Sequence, residues 1–127
     1  MDQIDEYSSQ LDPDLQEICG KLRQEIDSRL ANRQSKLYHG APVWFIDDIP
    51  IVGYSKKKGA IALLFWSGQS FGEGGLTPVG KHKAAEISFS DWREIDKDRL
   101  ARWLSESQET IWDYKNLIKN KGKLEMR

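Results

Sequence analysis

The chain is poor in cysteine, in net charge and in long apolar runs. Cys19 is its single cysteine, which excludes an internal disulfide and the disulfide-held class of small secreted proteins. Its 19 basic and 20 acidic residues nearly cancel, so no overall field attracts nucleic acid or cationic partners. The apolar run at 60–66 is far shorter than the roughly 20 residues of a membrane-spanning helix, and the polar, acidic amino terminus differs from a signal peptide. These absences predict a cytoplasmic protein that is not embedded in a membrane.

The composition fits one modest hydrophobic core. With 127 residues, 39% of them hydrophobic, the chain is expected to form a single domain over residues 1–127. Residues 1–10 are polar and acidic and are predicted to be a flexible terminus, with order beginning near Leu11. Residues 119–127 are predicted to be a loose basic tail. Monomer and homodimer both remain open.

An amphipathic helix is predicted to begin at Asp12. Asp12 is a favourable cap, Pro13 suits the first helical turn, and Asp14 places negative charge near the positive end of the helix dipole. Apolar residues then recur at spacings of three and four, which aligns them on one stripe that faces a core. The stripe consists of Leu15, Ile18, Cys19, Leu22, Ile26 and Leu30.

Short apolar segments separated by turns follow this helix and predict an antiparallel meander. Asp47-Asp48 is a two-residue connection, and residues 55–59 end in a glycine that suits a longer hairpin loop. Residues 60–66 are apolar on both faces, which favours a central strand. The predicted strands are 36–39, 43–46, 49–54, 60–66 and 84–89.

Beyond residue 66 the pattern changes twice. Residues 66–83 contain too many glycines and prolines for a long regular element. Asp96 or Asp98 can cap a helix that carries Leu100, Trp103 and Leu104 on one face. A second helical stretch is expected to bring together Ile111, Tyr114, Leu117 and Ile118 and to end at Gly122. The predicted fold is α+β, with an amino-terminal helix and carboxy-terminal helices on an antiparallel sheet of five or more strands.

The segment at 38–44 predicts a shaped corner between two strands. Gly40 can adopt positive φ, and Pro42 fixes its own φ and pushes the preceding residue toward extended geometry. This turn is expected to gather Tyr38, His39 and Trp44. Aromatic side chains beside such a corner can form a ligand pocket or a subunit contact, and they can equally be ordinary core. The residues predicted to bind a ligand are Tyr38, His39, Trp44, Tyr54, Trp66 and, as an anion anchor, Lys81.

The first helix offers a possible metal site. Asp14, Glu17 and Glu25 lie along its polar side, and hard ions such as iron accept carboxylate oxygens. Lys21 lies on the same side and can pair with the two glutamates at helical spacing, so a solvated helix face explains the same charges. Iron, weakly bound, is therefore a hypothesis with a plain structural alternative.

Three other kinds of chemistry have weaker support. Residues 75–82 nearly match a phosphate loop, but His82 replaces the hydroxyl residue and a strand rather than a helix is expected to follow. Lys56, Lys57 and Lys58 could contact phosphates, although the near-zero net charge argues against nucleic acid as a partner. Cys19 lies on the apolar stripe and is expected to be a core thiol. No nucleophile, base and orienting group form a recognisable set, so an enzyme is not predicted.

Taken in order, these features resemble the YdhG-like family of small bacterial proteins over about residues 11–108. The resemblance rests on the capped helix from Asp12, the corner at 38–43, the strand pair through Tyr54 and Phe65, and Lys81 ahead of the strand at 85–89. The family usually has Met where Ala41 stands. The resemblance implies a sandwich similar in shape to frataxin and lends support to an iron chaperone. The alternative is a module that binds a small molecule or a peptide near the 40–42 corner.

Overall fold

The computed structural model describes residues 2–31 and 33–127. Within them, three α-helices and one six-stranded antiparallel sheet form an α+β fold. The helices are α1 (Gln3–Ser9), α2 (Pro13–Arg29) and α3 (Lys97–Glu109). The strands are β1 (Arg33–Tyr38), β2 (Ala41–Ile46), β3 (Ile49–Lys57), β4 (Ala60–Phe65), β5 (Thr77–Pro78) and β6 (Ala85–Phe89).

The predicted amphipathic helix is confirmed as α2. Asp12 occupies its N-cap position and Pro13 its first turn, although the Asp12 side chain accepts no capping hydrogen bond from the described residues. Every apolar residue of the predicted stripe is buried, including Cys19, whose exposed fraction is 0%. Burial raises the pKa of the Cys19 thiol to about 11, so the thiol stays protonated and unreactive at neutral pH.

The expectation that order begins near Leu11 is wrong. Residues from Gln3 onward form α1, which begins with the Asp2 side chain accepting from the Asp5 amide at 2.9 Å. Ile4 is buried, and Arg23 of α2 forms ion pairs with Asp2 and Asp5. Such a short helix is unstable alone, so it is these contacts with α2 and the core that hold it. Met1 lies outside the described residues.

The strand order is β1-β2-β3-β4-β6-β5. All predicted strands are confirmed with small shifts at their ends, and β4 lies inside the sheet as its two apolar faces indicated. Asp47 and Asp48 form a turn with φ of 50° and 65°, the backbone of a tight two-residue hairpin. The loop predicted at 55–59 is shorter than expected, because β3 extends to Lys57 and leaves a two-residue turn.

One face of the sheet is covered by the three helices, and we call it the helix-covered face. Its core contains Trp44, Phe65 and Leu63 from the strands, with Trp103 and Leu104 from α3. As predicted, Asp96 caps α3 by accepting from the Arg99 amide at 3.1 Å. The opposite face, here called the open face, carries Val43, Phe45 and Ala62 among its buried residues.

The predicted last helix is wrong. Only a short 3₁₀ turn forms there, at Tyr114–Asn116, and Ile118 is 92% exposed. The chain then turns back, so that Trp112 and Met126 form an antiparallel bridge and the Arg127 amide donates to the Ile111 carbonyl at 2.8 Å. The last three residues of the basic tail that was predicted to be loose are therefore paired with residues 111–113.

None of the helices among the described residues combines the length and the apolar character that crossing a bilayer requires.

Candidate functional site

A hollow of about 210 Å³ lies on the open face. Its floor follows one row of paired residues across the sheet: Val43 pairs with Gly53, and Gly53 pairs with Leu64. The neighbouring row contains Ser55 opposite Ala62. Small side chains on the central strands leave space that larger ones would fill, because alternate residues of a strand share a face. The residues that line the hollow are Tyr38, His39, Ala41, Pro42, Val43, Gly53, Tyr54, Ser55, Leu64 and Trp66.

Gly53 determines how closely β2 and β3 approach each other at this floor. A Cβ atom added there would lie 2.6 Å from the Pro42 carbonyl oxygen and 2.9 Å from Val43 Cγ2. Both distances are shorter than normal packing permits, so β2 and β3 approach closely only because residue 53 has no side chain.

The β1–β2 turn forms one wall. His39 and Gly40 have φ of 52° and 83°, which confirms the predicted positive φ at Gly40 and gives a two-residue hairpin turn. The rings of Tyr38 and His39 lie 4.2 Å apart, and Tyr38 meets Phe45 edge to face at 5.4 Å. Tyr38 is 38% exposed, so its ring borders both the hollow and solvent.

Trp66 forms the opposite wall, immediately after β4. Its amide donates to the Ile51 carbonyl at 3.0 Å, and its carbonyl accepts from the Tyr114 hydroxyl at 2.8 Å. The same hydroxyl accepts from the Lys83 amide at 3.0 Å. Burial raises the pKa of Tyr114, which keeps that hydroxyl protonated and able to donate. The Trp66 backbone is thus held by two other parts of the chain, Ile51 and Tyr114, and Lys83 in turn holds Tyr114.

A second depression, of about 420 Å³, adjoins the first across Tyr38 and Trp66, which line both. Phe45 and Pro50 from the sheet and Leu117 from the carboxy-terminal segment contribute its apolar surface. Lys115 lies at its rim, 3.7 Å from Asp48. The carboxy-terminal segment therefore covers one end of the open face and leaves the end near His39 uncovered.

Of the predicted pocket residues, Trp44 lies apart from Tyr38 and His39, whereas Tyr54 lines the hollow together with them. Trp44 is one residue away from Val43 and so points to the helix-covered face, where its indole N–H donates to Asp27 at 2.8 Å. Tyr54 borders the hollow, but its ring packs 5.6 Å from that of Trp44 and the residue is 2% exposed. Its hydroxyl has no hydrogen-bond partner among the described residues, and burial raises its pKa.

Lys81 also lies apart from the hollow. It is exposed in the turn between β5 and β6. The pairing of Phe65 with Ala85 and of Ile61 with Phe89 puts the start of β6 at the end of the sheet away from the β1–β2 turn. Lys81 therefore lies at the other end of the sheet from His39 and does not line the hollow, and its role as an anion anchor stays a prediction.

The three predicted metal ligands are not brought together. Glu25 accepts from Arg29 at 2.9 Å and lies 4.0 Å from Lys97. Asp14 and Glu17 border a separate shallow hollow that also contains Arg93. No group of three or more potential metal-ligating side chains occurs within residues 2–31 and 33–127, so the residues present do not fit a built iron site.

Lys21 makes a contact that the sequence did not indicate. Its ammonium lies 4.4 Å from the ring centroid of Trp92, a cation–π geometry. Lys21 was expected to pair with Glu17 and Glu25, yet neither pair is among the ion pairs of the described residues. Asp14 and Glu17 are thus exposed on the surface of α2, whereas the Glu25 side chain is only 14% exposed beside Arg29.

Sequence reasoning missed the residues that create the hollow. Val43, Gly53, Ser55 and Leu64 carry no chemical signature, and only the pairing register places them side by side. The available signal was a glycine inside a strand, which often marks a close backbone approach.

Comparisons of the chain with protein-family models, with curated proteins and with solved structures gave no significant match. The resemblance to the YdhG-like family therefore stays a prediction.

Proposed function

We propose that this chain is a non-enzymatic binding module that holds one small ring or branched apolar group in the hollow on the open face. The observation that supports this proposal is an apolar floor with aromatic walls. The floor is formed by Val43, Gly53 and Leu64, and the walls by Tyr38 and Trp66. Binding sites for small molecules typically combine apolar surfaces with a few polar groups, and here Ser55 and His39 supply the polar groups.

The size of the hollow limits the ligand. Pockets for drug-sized molecules occupy about 300–1,000 Å³, whereas this one occupies about 210 Å³. A single six-membered ring or a branched aliphatic group is of suitable size. A ligand of about ten heavy atoms is expected to bind with a dissociation constant in about the millimolar range.

Contacts around the hollow support a preformed site. Gly53 keeps two central strands close together, and Trp66 is held by backbone hydrogen bonds at both its amide and its carbonyl. Walls that do not have to be ordered on binding reduce the entropic cost of holding a small ligand.

Titration of the ¹⁵N-labelled protein with phenylacetamide tests this function. We expect saturable shifts of the Val43, Gly53 and Leu64 amides and of the Trp66 indole N–H. Leu64→Trp places a larger side chain in the hollow and should abolish these shifts, because the added ring occupies the ligand's space.

Trp92→Phe is the control. Trp92 is as exposed as Tyr38, at 38%, but it lies beside Lys21, away from the hollow. This variant should bind like the wild type. The proposal is wrong if the shifts do not saturate, if they cluster around α2, or if Leu64→Trp retains them while its spectrum shows a folded protein.

A further inference from the structure

The charged residues of the open face are distributed unevenly around the hollow. Strand pairing gives one row across the sheet: Lys36 opposite Val43, then Gly53, then Leu64, then Glu86. Lys36 and Glu86 thus lie on opposite sides of the apolar floor. The Lys36 ammonium lies 4.9 Å from the centroid of the Phe45 ring, on the side of Tyr38.

The uncovered end of the hollow is basic and rich in donors. His39 and Ser55 line it directly. Lys57 follows Ser55 by two residues on β3 and pairs with Ala60 at the strand end, so alternation puts Lys57 on the same face as Ser55. Lys56 pairs with Ile61, whose side chain belongs to the helix-covered core, so it lies on the other face.

We infer that the ligand is an organic anion, namely an aromatic or branched apolar carboxylate. This inference rests on the proposed function of the hollow. Its apolar group lies over Gly53 between Tyr38 and Trp66. Its carboxylate points toward the β1–β2 turn, where Ser55, His39 and Lys57 can donate hydrogen bonds. Charge-assisted hydrogen bonds of this kind are stronger than neutral ones.

Glu86 is the opposing charge on this face. The Leu64 strand separates it from Gly53, and it lies in the row of Lys36 rather than at the end of the hollow near His39. The uncovered end thus has three hydrogen-bond donors, whereas the Glu86 carboxylate lies farther away, beyond Leu64. This distribution favours a bound anion over a bound amine. Asp48, at the other end of the face, is paired with Lys115.

Three ligands of equal size and different charge test this inference: phenylacetate, phenylacetamide and phenethylamine. Each is titrated into the ¹⁵N-labelled protein at low ionic strength. We expect phenylacetate to bind about fivefold more tightly than phenylacetamide, the difference between a charge-assisted and a neutral hydrogen bond. Phenethylamine should bind most weakly, and added salt should reduce the preference for phenylacetate.

Two adjacent lysines provide the matched variants. Lys57→Gln should reduce the preference for phenylacetate over phenylacetamide, whereas Lys56→Gln should leave it unchanged. Both residues are exposed at the end of β3, so neither substitution is expected to affect folding.

The outcomes separate this inference from the proposed function. Equal binding of phenylacetate and phenylacetamide, tighter binding of phenethylamine, or equal losses in Lys56→Gln and Lys57→Gln would overturn the anion assignment and leave the hollow as a binding site. Failure of all three compounds to bind would overturn both.

Discussion

On the helix-covered face of the sheet, Trp44, Leu63 and Phe65 are each 0% exposed and pack against α2 and α3. On the open face the central strands carry Val43, Gly53 and Leu64, and the space above them stays unfilled. Large side chains and helices fill the space above the first face, while Gly53, which has no side chain, leaves a hollow in the second. The missing side chain at position 53, and the packing of all three helices on the other face, separate structural surface from candidate binding surface here.

The two tryptophans of these faces give the largest predicted contrast. Trp44→Ala should lower the free energy of unfolding by about 3–5 kcal/mol, because it empties a fully buried site and removes the indole hydrogen bond to Asp27. Trp66→Ala should cost about 1–2 kcal/mol, since that side chain is only partly buried.

Urea unfolding of both variants, followed by circular dichroism, measures these differences through the transition midpoints. Equal losses would mean that the open face is packed as completely as the helix-covered face. That result would remove the distinction on which the site rests.

Alanine substitutions at two separate glycines compare the backbone packing of the two faces. Gly53→Ala should destabilise the protein by about 1–3 kcal/mol, because the new methyl group overlaps the Pro42 carbonyl and the Val43 side chain. Gly20→Ala, in the middle of α2 with nothing within 4 Å of the added Cβ, should stabilise it by up to about 1 kcal/mol.

Thermal unfolding of the two variants distinguishes the cases by the sign of the change in Tm. If Gly53→Ala were neutral, β2 and β3 could separate without cost. The floor of the hollow would then be adjustable rather than fixed.

The smallest predicted effect concerns α1, which completes the helix-covered face. The Arg23 guanidinium holds the pKa of Asp2 well below its ordinary value of 3.8. Because the folded-state pKa is the lower one, this contact stabilises the fold above about pH 4 and loses its contribution as the pH falls toward the folded-state pKa. The carboxylate is exposed, so the effect should stay below about 1 kcal/mol.

Arg23→Gln should therefore speed amide exchange in residues 3–9 at pH 7 and flatten the loss of stability between pH 4 and pH 2.5. Arg93→Gln is the control, since Arg93 forms its ion pair with Asp91, away from α1. Unchanged exchange in α1 would show that burial of Ile4 alone holds the helix.

Elements whose sequence pattern reports directly on burial were predictable. α2 and α3 carry apolar stripes at helical spacing, and the hairpin turns carry the residues that positive φ favours. α1 was missed because its order depends on Arg23 and on burial of Ile4, both tertiary contacts. The predicted helix after Ile111 failed because residues 111–113 pair with the end of the chain instead.

The candidate site was half predictable for a related reason. Tyr38, His39, Tyr54 and Trp66 were identified from their aromatic character in or beside the predicted strands and turn, and they do border one hollow. Trp44 was assigned to the wrong face because residues 43–46 are apolar throughout, so alternation gives no direction. Lys57 was noted only as one of three loop lysines, because the length of β3 decides which of them shares a face with Ser55.

The Tyr114 hydroxyl joins the backbone of Trp66 to that of Lys83, so a residue far along the sequence sets where one wall of the hollow stands. The position of the Trp66 wall therefore depends on a side chain that does not itself line the hollow. If the hollow binds ligand as proposed, a substitution at position 114 should change the affinity although Tyr114 does not line the hollow.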